Sequence, residues 1–285
     1  MSSISLIVSL EGVVPGGVLS EIFDRRAIAS DASHYLLTPS VVVRPENGFQ
    51  VGEIFRISQE ENVGLTFRSG GTSLSGQGIS SGVLVDTRRH FKEIEVLDNG
   101  ARVRVQPGAT VKQVNIALAK YGRKLGPDPA SEIACTIGGV VANNSSGMAC
   151  GTEFNSYSTL DSLTMVLPSG TVINTKNFDA DEHLRLSEPE MYAGIARLRD
   201  RIVQNPHSVE KIKSLYSIKN TMGYSLNSFL DYSKPVDILA HLIVGSEGTL
   251  AFIAEVTFST VPLLGLLFYQ LGFMAWKQIA QLGKF

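Results

Sequence analysis

The chain has 285 residues, of which 44% are hydrophobic and 18% charged, so it can build one large hydrophobic core or two small ones. This composition excludes a disordered tail, a fibrous repeat and a disulfide-stapled miniprotein. Lys and Arg total 25 against 27 Asp and Glu, and the net charge of −2 argues against nucleic acid as a partner.

The early segment predicts a strand, a helix and a second strand before a glycine-rich loop. A β-branched run marks the first strand, and apolar residues recur at helical spacing from Val51 to Ser58. The strands predicted in this half of the chain are Val41 to Val43, Leu65 to Phe67, Val83 to Val85, Ile94 to Leu97 and Arg102 to Val105. The last of these alternates charged and apolar residues, as a half-exposed strand does.

A helix is predicted to begin after Thr110, because Thr110 and Gln113 form a capping-box pattern and Gly122 supplies a stop. Pro168-Ser169-Gly170 predicts a hairpin turn. A second helix is expected from Pro189, with a buried stripe at Met191, Ile195, Leu198 and Ile202. Strands are expected at His241 to Val244 and Leu250 to Phe258. Predicted strands outnumber helices, which favours an α+β fold over a doubly wound parallel sheet.

Neither terminus carries a clear targeting signal. The first ten residues contain no Lys or Arg, unlike a secretory signal. The apolar run from Leu263 to Trp276 is shorter than the roughly 18 residues expected of a membrane-spanning helix. We expect a buried strand or helix there, with a membrane-surface or partner-binding segment as the alternative. Cys135 and Cys150 lack the paired spacing of a zinc or iron–sulfur site, which predicts no bound metal and a reducing, cytoplasmic compartment.

Two glycine-rich segments point to a bound phosphate and a flat ring. The first, Arg68 to Gly78, follows a strand, and its glycines can turn backbone N–H groups towards an anion. Its spacing fits neither a Walker loop nor a Gly-x-Gly-x-x-Gly turn, so a plain connector remains open for this segment alone. The second, Gly126 to Gly151, combines prolines with small and amide residues, which suits a planar ring system with a phosphate tail. A third cluster, Gly245 to Leu250, is expected to be a turn between two strands.

In this order, the three clusters closely resemble the FAD-binding domain of the vanillyl alcohol oxidase superfamily, also called the PCMH-type fold. The resemblance covers roughly Thr38 to Pro262 and is nearest to the FAD-linked D-2-hydroxyacid dehydrogenases, including D-lactate dehydrogenases. It implies a two-lobed α+β fold with mixed and antiparallel sheets flanked by helices. A reductase of cell-wall precursors on the same fold fits the Pro127 to Gly147 segment less well.

The resemblance implies the cofactor-binding residues. The first loop would wrap the FAD pyrophosphate, the second would line the isoalloxazine and ribityl parts, and the third would close over the adenine-bearing half. The residues so assigned are Arg68, Ser69, Gly70, Gly71, Thr72, Ser73, Gly76, Pro127, Asp128, Ser131, Thr136, Gly138, Gly139, Asn143, Ser146, Gly147, Glu247, Gly248 and Ile253. A further family motif near the flavin is similar to Lys219 to Tyr224. The first loop contains no histidine, so the FAD is expected to be non-covalent.

The resemblance further implies hydride transfer from a D-2-hydroxy acid such as D-lactate to flavin N5, with electrons passed to an unidentified acceptor. In the family, the base and the substrate-binding cation come from a C-terminal substrate domain, which the 23 residues after Pro262 do not match. No catalytic residue is therefore assigned. The expected organisation is an N-terminal segment (1–37), an FAD-binding domain (38–262) and an apolar tail (263–285). The alternative function is a non-catalytic FAD-binding subunit or truncated remnant that needs a partner chain for the substrate site. Residues 263–276 are the candidate segment for contact with a partner chain or with a membrane surface.

Overall fold

Two β-sheets organise the fold in the computed structural model, which describes residues 3–263. The N-terminal lobe carries a four-stranded sheet in the order β1-β2-β4-β3. Its elements, in chain order, are α1 (Ser3–Val13), β1 (Val18–Leu19), α2 (Ile22–Ala27), β2 (Val41–Val43), α3 (Gly48–Glu60), β3 (Leu65–Arg68) and β4 (Val83–Asp86).

Three strands of this sheet, β2, β4 and β3, are parallel, and both faces of the sheet are covered. Strand β4 pairs in parallel with β2 and β3, whereas β1 is an antiparallel edge strand. Val41 and Val43 pack with α1 and α3, while Val42 points the other way, towards Ile28 and Leu84. Because successive residues of a strand face opposite sides, a sheet covered on both faces needs continuous apolar runs such as Val41–Val43. Residues 3–19 of the N-terminal segment thus lie within this lobe.

The C-terminal lobe carries a five-stranded, wholly antiparallel sheet in the order β5-β6-β10-β8-β9. Its elements, in chain order, are β5 (Ile94–Leu97), β6 (Arg102–Val105), α4 (Val111–Ala119), β7 (Arg123–Lys124), α5 (Ile137–Asn143), α6 (Ser156–Thr159), β8 (Leu160–Val166), β9 (Val172–Asn174), α7 (Ala180–Ser187), α8 (Pro189–Val203), α9 (Pro206–Tyr216), α10 (Ser228–Asp231), α11 (Pro235–Ile243), β10 (Phe252–Ser259) and β11 (Val261–Pro262). Strands β7 and β11 form a separate two-stranded ribbon.

One face of the antiparallel sheet is covered by helices and the other carries charged side chains. Val103 and Val105 of β6 are buried among residues of α4, α5 and α11. Arg104, between them, reaches the carboxylates of Glu95 and Glu255 on the two neighbouring strands. The alternating sequence of β6 therefore sets which face of the sheet meets the core.

An aromatic cluster joins the two lobes. Phe67 of β3 stacks on Phe252 of β10 with ring centroids 5.0 Å apart, and Phe91 meets Phe252 edge-on at 5.3 Å. Val51 of α3 and Val166 of β8 complete the cluster. Because the rings come from both sheets, their burial holds the lobes against each other.

Most predicted elements are confirmed. The five early strands, the helix at 48–60 and the hairpin at Pro168 to Gly170 are present. Helix α4 has the predicted capping box at Thr110. Helix α8 begins at Pro189 as predicted, although only Ile195 of its expected stripe is fully buried and Leu198 is 40% exposed.

Three local predictions are wrong. His241 to Ile243 end helix α11 and are not a strand, because the apolar pattern of that segment continues back to Pro235, a favoured first helical residue. The third cluster therefore joins a helix to a strand. Strands do not outnumber helices: the described residues hold eleven of each. Of the apolar segment 263–276, all but Leu263 lies outside the described residues.

Candidate functional site

A cleft of about 400 Å³ runs between the two lobes, within the range of roughly 300–1,000 Å³ typical of ligand sites. One wall is the first glycine-rich loop, residues 69–74 with 77 and 78. The other wall comes from residues 131–145 and 247–253 of the C-terminal lobe. The loop follows the carboxyl end of β3, the edge of a parallel sheet where α/β proteins bind ligands.

The first loop carries a row of free backbone donors on the cleft wall. Among residues 3–263, no acceptor takes the N–H of any residue from Ser69 to Ser73. Residues 69–73 are half-buried, and five consecutive free donors there are notable because folded chains pair nearly all of their buried backbone N–H groups. Successive N–H groups in such turns form concave sites for anions. The row is therefore suited to phosphate oxygens.

The two glycine-rich segments meet beside this row. A Cβ atom at Gly70 would lie 2.9 Å from Cα of Cys135 and 3.1 Å from the nitrogen of Thr136, so only glycine permits this approach. The Ser69 hydroxyl contacts the Thr136 hydroxyl and accepts the backbone N–H of Gly139 at 2.9 Å. The two segments thus form one site although about seventy residues separate them in sequence.

Part of the second segment is a helix, α5, which we had not predicted. Thr136 occupies its N-cap position, and Gly138 donates its N–H to the carbonyl of Pro107 at 2.9 Å. Ile137, Val140 and Val141 are buried in the core of the lobe, while Gly138, Gly139 and Asn143 line the cleft. The helix therefore presents mainly small residues to the cleft, together with Val140, and is anchored in the core by its β-branched side chains.

The third cluster caps the carboxyl end of α5. Gly245 donates its N–H to the carbonyl of Val141, and Glu247 donates to that of Ala142 at 2.8 Å. The Glu247 carboxylate accepts the Asn143 amide at 2.6 Å. Glu247 has φ of +54°, a conformation rare outside glycine and often found at ligand sites. Burial raises the pKa of Glu247, although the hydrogen bond from Asn143 opposes this rise.

The predicted residues divide into those on the cleft wall and those behind it. Those on the wall are Ser69, Gly70, Gly71, Thr72, Ser73, Ser131, Thr136, Gly138, Gly139, Asn143, Glu247, Gly248 and Ile253. Those outside it are Arg68, Gly76, Pro127, Asp128, Ser146 and Gly147.

The residues outside the wall connect the surrounding loops. Asp128 donates its N–H to the carbonyl of Ser146 at 3.1 Å and bridges to Gly147. Gly147 has φ of +73° and abuts the Asp128 backbone, leaving no room for a side chain. Lys219, from the further motif, donates to the Gly147 carbonyl. These contacts support the loop at 145–151 from outside the cleft.

Several wall residues were not predicted from the sequence. Phe67, Thr87, Pro107 and Phe252 line the cleft, as does Cys135, whose thiol has its pKa raised by burial. The position of Phe67 and Thr87 at the carboxyl ends of β3 and β4 could have indicated them. Pro107 and Phe252 carried no local signal, because only the meeting of the two lobes brings them to the cleft.

Comparisons with known proteins agree with this geometry. Residues 39–176 match the family model described as FAD binding domain. The chain is 29% identical over 253 residues to D-2-hydroxyglutarate dehydrogenase of Haemophilus influenzae, covering 84% of this chain and 24% of that protein. It is also 29% identical over 225 residues to D-lactate dehydrogenase of Archaeoglobus fulgidus, covering 78% of this chain and 39% of that protein. The chain thus spans about a quarter of the length of the first of these relatives.

The fold has solved counterparts. A glucooligosaccharide oxidase from Acremonium strictum, which carries a 6-S-cysteinyl, 8α-N1-histidyl FAD, superposes with a TM-score of 0.59 at 17% identity. The match covers 90% of this chain and 43% of the oxidase. Within residues 3–263, no helix is both long and apolar enough to cross a membrane. Residues 39–176 therefore resemble an FAD-binding domain, and the comparisons support FAD as the cofactor.

Proposed function

We propose that the chain forms the FAD-holding part of an oxidoreductase that oxidises a D-2-hydroxy acid such as D-lactate, with the FAD held non-covalently. The observation that carries this proposal is the row of free N–H groups from Ser69 to Ser73 on the wall of an interlobe cleft. The names of the two dehydrogenase relatives support the substrate class. We propose the FAD-binding domain to cover residues 38–262.

The residues present fit FAD. The N–H groups of 69–73 would receive its diphosphate, since a dianionic group can accept several backbone donors at once. The flat surface of Gly138 and Gly139 would lie along the ring and ribityl portions, with Asn143 and Glu247 offering polar contacts at the same wall. Bound FAD supplies the two-electron acceptor, while the protein positions it and excludes water.

Non-covalent attachment is supported by the chemistry of the wall. Of the described residues lining the cleft, none is a histidine. Cys135 lines it, but burial raises the pKa of its thiol and keeps it in the weakly nucleophilic protonated form. Acid precipitation of the purified protein should therefore release all of its flavin into the supernatant, whereas yellow colour retained in the pellet would contradict this part of the proposal.

A second candidate function follows from the charges on the wall. A 2-hydroxy acid needs a cation to hold its carboxylate and a base within hydrogen-bond reach of its hydroxyl. Among the described residues that line the cleft, Glu247 is the one charged side chain. We therefore keep a second candidate, in which the chain is an FAD-binding subunit and a partner chain supplies the substrate-binding groups.

A visible spectrum with anaerobic reduction separates these candidates. The full chain is purified, loaded with FAD and titrated anaerobically with D-lactate, with L-lactate as the matched control. Flavin bands that bleach with D-lactate support the enzyme, and bands that persist with both enantiomers support the subunit. A folded, colourless protein that takes up no FAD would contradict both.

A further inference from the structure

A guanidinium is buried beneath the first loop without a carboxylate partner. Arg68 is 6% exposed and does not line the cleft. Among residues 3–263 its guanidinium forms no ion pair, and its Nε has no hydrogen-bond partner. Of the two nearby carboxylates, Asp86 is already paired with Arg88 at 2.8 Å and with Arg44 at 3.4 Å, and Asp31 lies beyond ion-pair distance of Arg68. An unpaired buried charge is costly, so its retention at this point calls for a compensating group.

The guanidinium ties two separate segments to the loop. Nη1 donates to the carbonyl of Gly78, at the end of the loop, at 3.0 Å. Nη2 donates to the carbonyl of Ser30 at 2.7 Å. Two residues further on, Ala32 donates its N–H to the carbonyl of Gly71 at 3.0 Å. Arg68 and residues 30–32 together fix the loop at Gly71 and at its end.

The same guanidinium packs against the centre of the donor row. A Cβ atom at Gly71 would lie 2.6 Å from Cζ and Nη2 of Arg68 and 2.7 Å from Nε. Gly71 also has φ of +68°, which L side chains rarely adopt. The positive group therefore lies against the backbone of Gly71, the central residue of the five with free N–H groups.

We propose that Arg68 is a positioning residue for FAD, which holds loop 69–78 in its anion-receiving shape and supplies a buried positive charge that the diphosphate compensates. Burial lowers the pKa of Arg68, and the positive charge of Arg88 lowers it further. A diphosphate at the donor row would act in the opposite direction, as Asp31 and Asp86 do. The inference rests on the proposed placement of the diphosphate at residues 69–73.

The test compares Arg68→Met and Arg68→Lys with Arg25→Met in the full chain. Arg25 is a matched control, because it also donates to backbone carbonyls of the N-terminal lobe, those of Pro39 and Ser40, but none of the three lines the cleft. Dissociation constants are measured for FAD, for ADP and for riboflavin, which lacks the diphosphate, and folding is checked by circular dichroism.

We expect Arg68→Met to weaken FAD and ADP binding by roughly 10- to 100-fold. The variant loses the hydrogen bonds of the charged guanidinium to the Gly78 and Ser30 carbonyls, and the loss of such bonds corresponds to a change in affinity of about that size. Riboflavin binding should be unchanged, Arg68→Lys should recover part of the loss, and Arg25→Met should match the wild type. If Arg68→Met does not fold, Arg68→Lys carries the comparison and should show a smaller loss confined to FAD and ADP.

Equal affinity of the folded variant and the wild type for FAD would overturn the inference. So would an equal loss of riboflavin and FAD, since a merely structural role moves both. If the wild-type chain binds FAD no more tightly than riboflavin, the diphosphate contributes nothing to binding. That result would contradict the proposed role of residues 69–73 and, with it, the inference about Arg68.

Discussion

The Ser69 hydroxyl accepts the backbone N–H of Gly139 at 2.9 Å, joining the first residue of the row of free N–H groups to helix α5. The same oxygen contacts the Thr136 hydroxyl at the N-cap of that helix. One side chain therefore aligns the two walls of the cleft.

Ser69→Ala removes this connection. The N–H of Gly139 loses its acceptor in a partly buried position, which costs about 1–3 kcal/mol of folding free energy. FAD affinity should fall as well, because the loop and α5 are no longer aligned. Urea unfolding and flavin titration measure the two effects. Ser80→Ala is the control, since Ser80 accepts the N–H of Gly82 at 3.0 Å in the same lobe but off the cleft wall. FAD binding equal in both variants would contradict the role given to Ser69.

Gly70→Ala tests the contact between the two glycine-rich segments. The added methyl would meet the backbone at Cys135 and Thr136, so the loop must shift, at a cost of about 1–3 kcal/mol. We expect the variant to fold with a lower unfolding midpoint and to retain little FAD. Gly64→Ala is the matched control, because a methyl there meets nothing within 4 Å. Normal flavin content in Gly70→Ala would show that the close approach is not needed.

Phe91→Ala tests the aromatic cluster between the lobes. Phe91 is 2% exposed and packs edge-on against Phe252, which lines the cleft. Its truncation should cost about 3–5 kcal/mol and loosen the two walls relative to each other. Phe49→Ala, at a side chain 74% exposed, should change neither stability nor FAD affinity. Calorimetry and flavin titration give the comparison, and similar melting temperatures for the two variants would disprove the assignment.

His241 predicts a pH dependence of stability. Burial lowers its pKa from an ordinary value of about 6.5, and the ring donates through one nitrogen to the Asp237 carbonyl while Tyr232 OH meets the other. The unfolded chain then binds more protons near that pH, so the free energy of unfolding falls as pH drops through about 6.5. The free energy of unfolding stops falling once the pH is below the pKa of His241 in the folded protein.

His241→Gln should flatten this slope while keeping a polar partner for Tyr232. The check is a series of urea titrations between pH 5 and 8 on both proteins, at constant ionic strength. Parallel curves for the wild type and the variant would mean that another group causes the dependence.

Local sequence patterns predicted those elements that are determined by residues close together in the sequence. The capping box at Thr110 and the hairpin turn at Pro168 to Gly170 need only a few residues to be recognised. Helix α5 did not follow from its sequence, since two glycines and β-branched residues disfavour helix in isolation, and burial of Ile137, Val140 and Val141 decides the outcome.

The same distinction holds for the site. Glycine-rich spacing indicated the donor row at Ser69 to Ser73, because the required backbone geometry is local. Sequence placed Arg68 among the cofactor-binding residues, while the structure directs its guanidinium to the carbonyls of Ser30 and Gly78. That orientation depends on a segment almost forty positions earlier, which no local pattern reports.

Helices α7 and α8 pack into the core beside the antiparallel sheet and α9 packs on α8, yet within the described residues none of the three lines the cleft. Loop lengths between Asn174 and Tyr216 can therefore change during evolution with little cost to cofactor retention. Homologous proteins could therefore differ in the size and surface of this region and still bind the same nucleotide.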